Sequence, residues 1–180
     1  MRVLIVYESM FGNTRQIAEA IGKGLTTEAN SVVTGVADAP TSLDDFDLVV
    51  VGGPTHAWSM SWPSTRRGAP LRVNKPGSDL VLEPGANTGP GVREWLQSVS
   101  PGNAKAAAFD TRMNSAALFT GRASRRIGRQ LSRLGYSMIV PPESFLVDKK
   151  SHLVPGELER ARWWSANLVT AIDWTRTIGH

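Results

Sequence analysis

The sequence has 180 residues, of which 41% are apolar and 20% are charged, and it contains no cysteine. This composition is typical of a globular protein of about one domain, so extended disorder is not expected and residues 1–180 are predicted to form a single domain. The lack of cysteine excludes disulfides, thiolate nucleophiles and Cys-held iron–sulfur clusters, so redox chemistry would need a bound cofactor.

The net charge is +4, and the basic excess is concentrated in residues 111–142, which contain six arginines and no acidic residue. A basic segment of this kind is one way to bind nucleic acid. Because no aromatic-rich reading surface or zinc-finger spacing accompanies it, no nucleic-acid partner is predicted. The first apolar run is too short for a membrane span or a signal segment, which predicts a cytoplasmic protein with no membrane association.

The amino-terminal part alternates between strand and helix patterns. Residues 3–7 are continuously apolar, which predicts a central strand covered on both faces. After a short loop, apolar residues recur at helical spacing, with Asn13 or Thr14 as the natural cap. Residues 31–36 and 46–51 read as the second and third strands. Repeated strand–helix steps predict a parallel sheet with helices on both faces.

Six prolines interrupt residues 52–90, which predicts a proline-rich loop or insertion at about 59–91. A short helix is predicted over 92–99, a fourth strand over 104–110, and a helix that ends at Gly135. The fifth strand covers 136–140 and 145–147, bent or split by Pro141 and Pro142. A closing helix is predicted over 156–175.

The loop after the first strand combines hydroxyl groups, Gly12 and the start of a helix. Backbone N–H groups and the positive end of the helix dipole face one point there, and the Ser9 and Thr14 hydroxyls add donors. Such a loop is suited to a phosphate group. The loop lacks the GxxxxGK[ST] of a nucleotide-binding P-loop and the GxGxxG of a dinucleotide fold. At the end of the third predicted strand, Gly52–Gly53 stands where a receiver domain needs an aspartate. These three classes of protein are therefore excluded.

The stretches VLIVYESMFGNTRQIAEAI, DLVVVGGPTHAWSMS and FDTRM resemble the three cofactor loops of the flavodoxin-like family, with Ser9, Gly12, Asn13 and Thr14 matching its first-loop pattern. The resemblance implies a doubly wound five-stranded parallel sheet of order 2-1-3-4-5 in a three-layer α/β/α sandwich. It also implies FMN, with the phosphate in the first loop and the ring between the second and third. The cofactor-binding residues it implies are Ser9, Met10, Phe11, Gly12, Asn13, Thr14, Pro54, Thr55, His56, Ala57, Trp58, Asp110, Thr111 and Arg112.

The third loop departs from the family, since many flavodoxins place a tyrosine there among acidic residues. Here Arg112 follows Asp110, and Phe119 is the nearest later aromatic residue. We expect Arg112 to favour the reduced, anionic flavin and so to raise its potential.

Three functions remain open from the sequence. The first is an electron carrier between a reductase and an acceptor protein. The second is an enzyme that passes two electrons from a nicotinamide to a quinone or flavin. The third is a flavodoxin-like module that binds a partner without redox turnover.

Overall fold

The computed structural model describes residues 1–25, 29–56, 58–116 and 120–178. Its described strands are β1 (Arg2–Tyr7), β2 (Asn30–Gly35), β3 (Leu48–His56), β4 (Ser59–Met60), β5 (Lys105–Met113), β6 (Ser137–Met138) and β7 (Glu143–Val147). Its described helices are α1 (Asn13–Leu25), α2 (Pro63–Arg67), α3 (Ala69–Val73), α4 (Val92–Ser98), α5 (Ala123–Arg133) and α6 (Glu157–Ile178).

The sheet runs β2-β1-β3-β5-β6, with β7 also paired to β5, and all of these pairings are parallel. This confirms the predicted doubly wound order once β6 and β7 are taken as the two halves of the fifth strand. Pro141 and Pro142 lie between the halves and cannot donate to a strand ladder, which accounts for the break. The short β4 pairs antiparallel with the end of β3 and was not predicted.

Each face of the sheet carries its own buried core. The side chains of Leu4 and Val49 point to the face covered by α4 and α5, whereas Ile5 and Val50 point to the face covered by α1 and α6. Successive residues of a strand face opposite sides. Both faces are therefore apolar, which is why the strands appear in the sequence as continuous apolar runs.

The proline-rich segment 59–91 is more regular than predicted, because it contains α2 and α3. Each helix has a proline in its first turn, where the missing N–H would have no helical acceptor. The segment is fixed to the first loop, since the Glu83 N–H donates to the Met10 carbonyl at 2.8 Å. The Arg15 side chain also pairs with the Glu83 carboxylate at 2.9 Å.

The closing helix α6 packs against α1 and the sheet. Its Trp164 meets Phe109 and Phe145 edge to face, at centroid distances of 6.4 and 6.1 Å. Trp163 points outward and is 78% exposed. Although α6 is long, neither it nor any other helix in the described ranges has the apolar length that crossing a bilayer requires.

Candidate cofactor site

A cavity of about 170 Å³ opens at the carboxyl ends of β1, β3 and β5, where ligand sites of open parallel sheets lie. It is lined by Ser9, Met10, Phe11, Asn13, Thr14, Pro54, Thr55, His56, Arg72, Thr111, Arg112, Met113, Val147 and Ser151. The structure thus brings together most of the residues that the three loop patterns indicated. Of the others, Gly12, Trp58 and Asp110 do not line the cavity, and Ala57 lies outside the described residues.

The first loop forms the end of the cavity that suits a phosphate. Gly12 has a φ of 84°, a left-handed conformation that favours glycine, and its N–H donates to Ser9 Oγ at 3.1 Å. The hydroxyls of Thr14 and Thr111 lie 2.8 Å apart and join the first loop to the third. The N–H groups of Asn13, Thr14 and Arg15 precede the first helical acceptor of α1, and the Gln16 N–H is the first to find one, donating to the Gly12 carbonyl at 3.0 Å. The three earlier groups are therefore placed to bind a ligand.

Arg72 adds a positive charge to the cavity, although no sequence pattern indicated this residue. Its Nη2 donates to Ser151 Oγ at 2.6 Å, and its guanidinium carbon lies 5.3 Å from the centre of the Phe11 ring. Asn13 Nδ2 donates to the Ser151 carbonyl at 2.6 Å. Arg72 and Ser151 come from the proline-rich segment and the β7–α6 loop, so this end of the cavity has a cation beside the helix N-terminus.

The second loop forms the middle of the cavity. The Ala123 N–H donates to Thr55 Oγ1 at 3.0 Å, which fixes this loop against the start of α5. Burial lowers the pKa of His56 to about 4, with the charges of Arg72 and Arg66 acting in the same direction. His56 is therefore neutral at pH 7.

Protonation of His56 should destabilise the fold below about pH 6.5. Between pH 6.5 and 4 the unfolded state binds more protons at this residue than the folded state, so the free energy of unfolding falls as the pH falls. The shift corresponds to roughly 2–3 kcal/mol. Urea unfolding at pH 7 and 4.5 should show this loss in the parent and its absence in His56→Gln. Equal pH dependence in the two proteins would contradict the expectation.

Trp58 lies at the rim of the site and not over the cavity. It is 63% exposed, has a φ of 65°, and its backbone bridges to Gly121 beyond the third loop. A β-carbon at Gly121 would lie 2.3 Å from the Trp58 Cα, so only glycine permits this contact. The indole is thus held at the surface next to the site.

Asp110 is fully buried near the carboxyl end of β5, and its carboxylate caps the start of α5. Its Oδ2 accepts a hydrogen bond from the Ser124 N–H at 2.8 Å, in the first turn of α5. Burial raises the pKa of its carboxyl, and the Ser124 bond opposes that rise. Asp110 therefore joins the strand that leads into the third loop to the first turn of α5.

Arg112 lines the cavity and also holds the third loop in shape. Its Nη1 donates to the Ser115 carbonyl at 2.6 Å and to the Met113 carbonyl at 3.2 Å. Its Nε is buried without a hydrogen-bond partner in the described ranges. An unpaired buried donor of this kind carries a desolvation penalty.

A buried polar network behind the first loop connects it to the proline-rich segment. Glu8 accepts hydrogen bonds from Ser61 Oγ and from the Val92 N–H, the latter at 2.8 Å. Arg66 donates to Ser61 Oγ at 2.8 Å and pairs with Glu94 at 2.8 Å. Burial raises the pKa of Glu8, while these bonds and the charge of Arg66 counteract the rise. The network fixes where the first loop begins.

Comparisons with known proteins agree with this architecture. Residues 4–62 match the sequence model of the flavodoxin domain family. Over 96% of the chain, the structure superimposes on 99% of a flavodoxin from the domain Archaea, with a TM-score of 0.66 and 20% identity. Over 94% of the chain, it superimposes on 98% of oxidised flavodoxin 1 from Bacillus cereus, with a TM-score of 0.64 and 18% identity.

A larger enzyme also shares the fold. The chain, over 96% of its length, covers 36% of rubredoxin:oxygen oxidoreductase from Desulfovibrio gigas, with a TM-score of 0.60 and 16% identity. No curated protein matches the sequence significantly. The chain is a doubly wound α/β protein with the flavodoxin-like fold, and its residues 4–62 carry the sequence pattern of the flavodoxin domain family.

Proposed function

We propose that the chain binds FMN in this cavity and carries electrons between a reductase and an acceptor protein. The observation that carries the proposal is the composition of one cavity end. The α1 N-terminus, the Ser9 and Thr14 hydroxyls and the Arg72 guanidinium all meet there. Backbone N–H groups and the helix dipole favour a dianion, and a guanidinium pairs with phosphate oxygens.

The rest of the cavity suits the other parts of FMN. Past the phosphate end, Thr55, His56 and Thr111 offer polar groups to a polyol chain, while Pro54, Met113 and Val147 offer apolar surface to a flat ring. Arg112, which lines the third-loop side of the cavity, adds a positive charge there. When bound, the flavin supplies the redox chemistry, and the chain supplies position and electrostatics.

The size of the cavity favours a carrier. Small-molecule pockets measure roughly 300–1,000 Å³, whereas this cavity measures about 170 Å³. A bound FMN would therefore extend beyond the cavity, with part of its ring at the surface. A partly exposed ring edge lets electrons pass directly to a docked protein.

A second candidate is an NAD(P)H-dependent reductase that passes two electrons to a quinone or a flavin. The specific observation is that Met113 and Val147, and no aromatic side chain among the described residues, line the third-loop side of the cavity. Phe119 lies outside the described residues. An uncovered ring face would admit a nicotinamide.

Calorimetric titration of the purified chain with FMN tests the proposal. We expect one site with a Kd below about 1 μM, or about −8 kcal/mol, and flavin absorbance in the complex. In stopped-flow experiments a carrier stays oxidised with NADH or NADPH alone, whereas rapid reduction would favour the reductase. No uptake of FMN by well-folded chain would refute both and leave a partner-binding module.

A further inference from the structure

The outer side of α5 carries a row of arginines that cofactor binding does not use. We call it the arginine face, and its members are Arg122, Arg125, Arg126, Arg129 and Arg133. All are exposed except the half-buried Arg122. The opposite side of the helix is buried through residues such as Ile127 and Leu131, which pack toward the sheet. The arginine face is therefore directed to solvent.

Among the described residues, no acidic side chain forms an ion pair with this face. Residues 111–142 contain neither aspartate nor glutamate. Arg122 Nε is in addition buried without a hydrogen-bond partner within the described part of the chain. Five positive charges thus lie within twelve residues, four of them on α5 and one on the residue directly before it.

The arrangement works against the stability of α5. Arg125 and Arg129, like Arg129 and Arg133, are four positions apart, a spacing at which like charges repel. Arg125 and Arg126 also lie in or next to the first turn, at the positive end of the helix dipole. The N–H groups of that turn are capped from outside the helix, by Asp110 and Thr55. Arginine favours a helix and Arg133 complements the dipole in the last turn, but the repulsion within the row opposes these gains.

A shallow depression of about 480 Å³ lies beside the arginine face. It is lined by Arg125 and Arg129 of the face and by Gly128, Ser132, Met138 and Pro142. A β-carbon at position 128 would lie 3.3 Å from the terminal methyl of Met138, so a larger residue there would crowd this surface. Two arginines beside Met138 and Pro142 match a partner surface that carries both carboxylates and an apolar side chain.

The face begins at the rim of the cofactor cavity. The first N–H of α5 bonds to Thr55, which lines the cavity, and Arg122 precedes it directly. Arg122 is also close enough to Arg112 for their charges to interact. A protein bound along the arginine face would therefore lie beside the open side of the cavity.

We propose that the arginine face is the docking surface for an acidic protein with which the flavin site exchanges electrons. This inference rests on the proposed function. Guanidinium groups pair with carboxylates and with phosphates. A protein is favoured because Arg125 and Arg129 adjoin a depression that Met138 and Pro142 also line, and protein interfaces combine charged and apolar surface. Among the described residues, none of the exposed tryptophans that could stack on bases lies on α5.

Binding to probes of opposite charge tests the docking. The FMN-loaded chain is titrated by calorimetry with the soluble domain of cytochrome b5, which is acidic around its haem, with basic cytochrome c, and with a 20-base-pair DNA duplex. We expect binding to cytochrome b5, weakening as salt is raised, and none to cytochrome c. In Arg125→Glu/Arg129→Glu the Kd for cytochrome b5 should rise about tenfold or more.

Arg162→Glu is the matched control, because Arg162 is a half-exposed arginine on α6. Its Kd should change less than about twofold, since surface charges away from an interface act weakly. The double variant should unfold at the same or a higher temperature than the parent. A carboxylate at position 125 complements the helix dipole in the first turn, and one at position 129 can pair with Arg133 four positions further on. A lower affinity in this variant is then a loss of binding and not of folding.

The outcomes separate the two proposals. Flavin absorbance in the same samples reports the cofactor, and a colourless chain contradicts the proposed function. A yellow chain that fails to bind cytochrome b5, or that loses as much affinity in Arg162→Glu as in the double variant, overturns the docking surface. The docking proposal is also overturned, in favour of a nucleic-acid surface, if the chain binds the duplex more tightly than cytochrome b5 and Arg125→Glu/Arg129→Glu weakens that binding.

Discussion

Asn13→Asp is expected to weaken FMN binding about a hundredfold, which corresponds to about 3 kcal/mol. Position 13 begins α1 at the proposed phosphate end of the cavity. A carboxylate about 4 Å from a phosphate repels it by several kcal/mol at an effective dielectric constant near 20. Calorimetric titration with FMN measures the change directly.

The same substitution should leave the apo chain folded, because an acidic residue in the first helical turn favours the helix. Asn13→Ser is the matched control, since it also loses the hydrogen bond to the Ser151 carbonyl but adds no charge. We expect its Kd to rise less than about tenfold, as for one lost hydrogen bond. Similar affinities for the two variants would show that the phosphate does not lie at this end.

Gly52→Ala is expected to destabilise the fold by about 3 kcal/mol or more, through overpacking of the core. A β-carbon at this position would lie 2.1 Å from the Phe109 ring. The ring cannot move away easily, because it is fully buried and packed edge to face against Phe145 and Trp164. Urea unfolding of the apo chain measures the loss.

Gly53→Ala provides the control, since its new β-carbon would be at least 3.6 Å from the nearest neighbouring atoms. We expect it to cost less than about 1 kcal/mol. Replacing Phe109 by Leu in the Gly52→Ala background should recover part of the loss, a coupling that a double-mutant cycle measures. Equal destabilisation by the two alanines would show that the contact with Phe109 is not the cause.

Much of the fold could be predicted because its signals are local. The central strands are buried on both faces, so each is a continuous apolar run bounded by polar loops. The break in the fifth strand was predictable from Pro141 and Pro142, since proline cannot take part in a ladder. The first loop was recognisable because its hydroxyl, glycine and helix-start residues are adjacent in the chain.

The rest of the site depends on contacts between distant segments. Arg72 reaches the cavity because the proline-rich segment folds back over the first loop, and no periodic pattern in that segment reveals where it will lie. Asp110 lies near the carboxyl end of β5, where a cofactor residue would also lie. Its carboxylate caps α5 instead, 14 residues further on. Spacing along the chain does not distinguish these two uses of one carboxylate.

The divided fifth strand has a consequence for self-association. Exposed strand edges are templates for aggregation. Here β6 has only two residues, and two prolines follow soon after it. The outward backbone groups of β7 are already satisfied, since the Leu146 N–H donates to Glu157 at 2.8 Å and the Leu146 carbonyl accepts from the Val154 N–H at 3.0 Å. This border of the sheet is closed to an added strand, whereas β2 forms the opposite border.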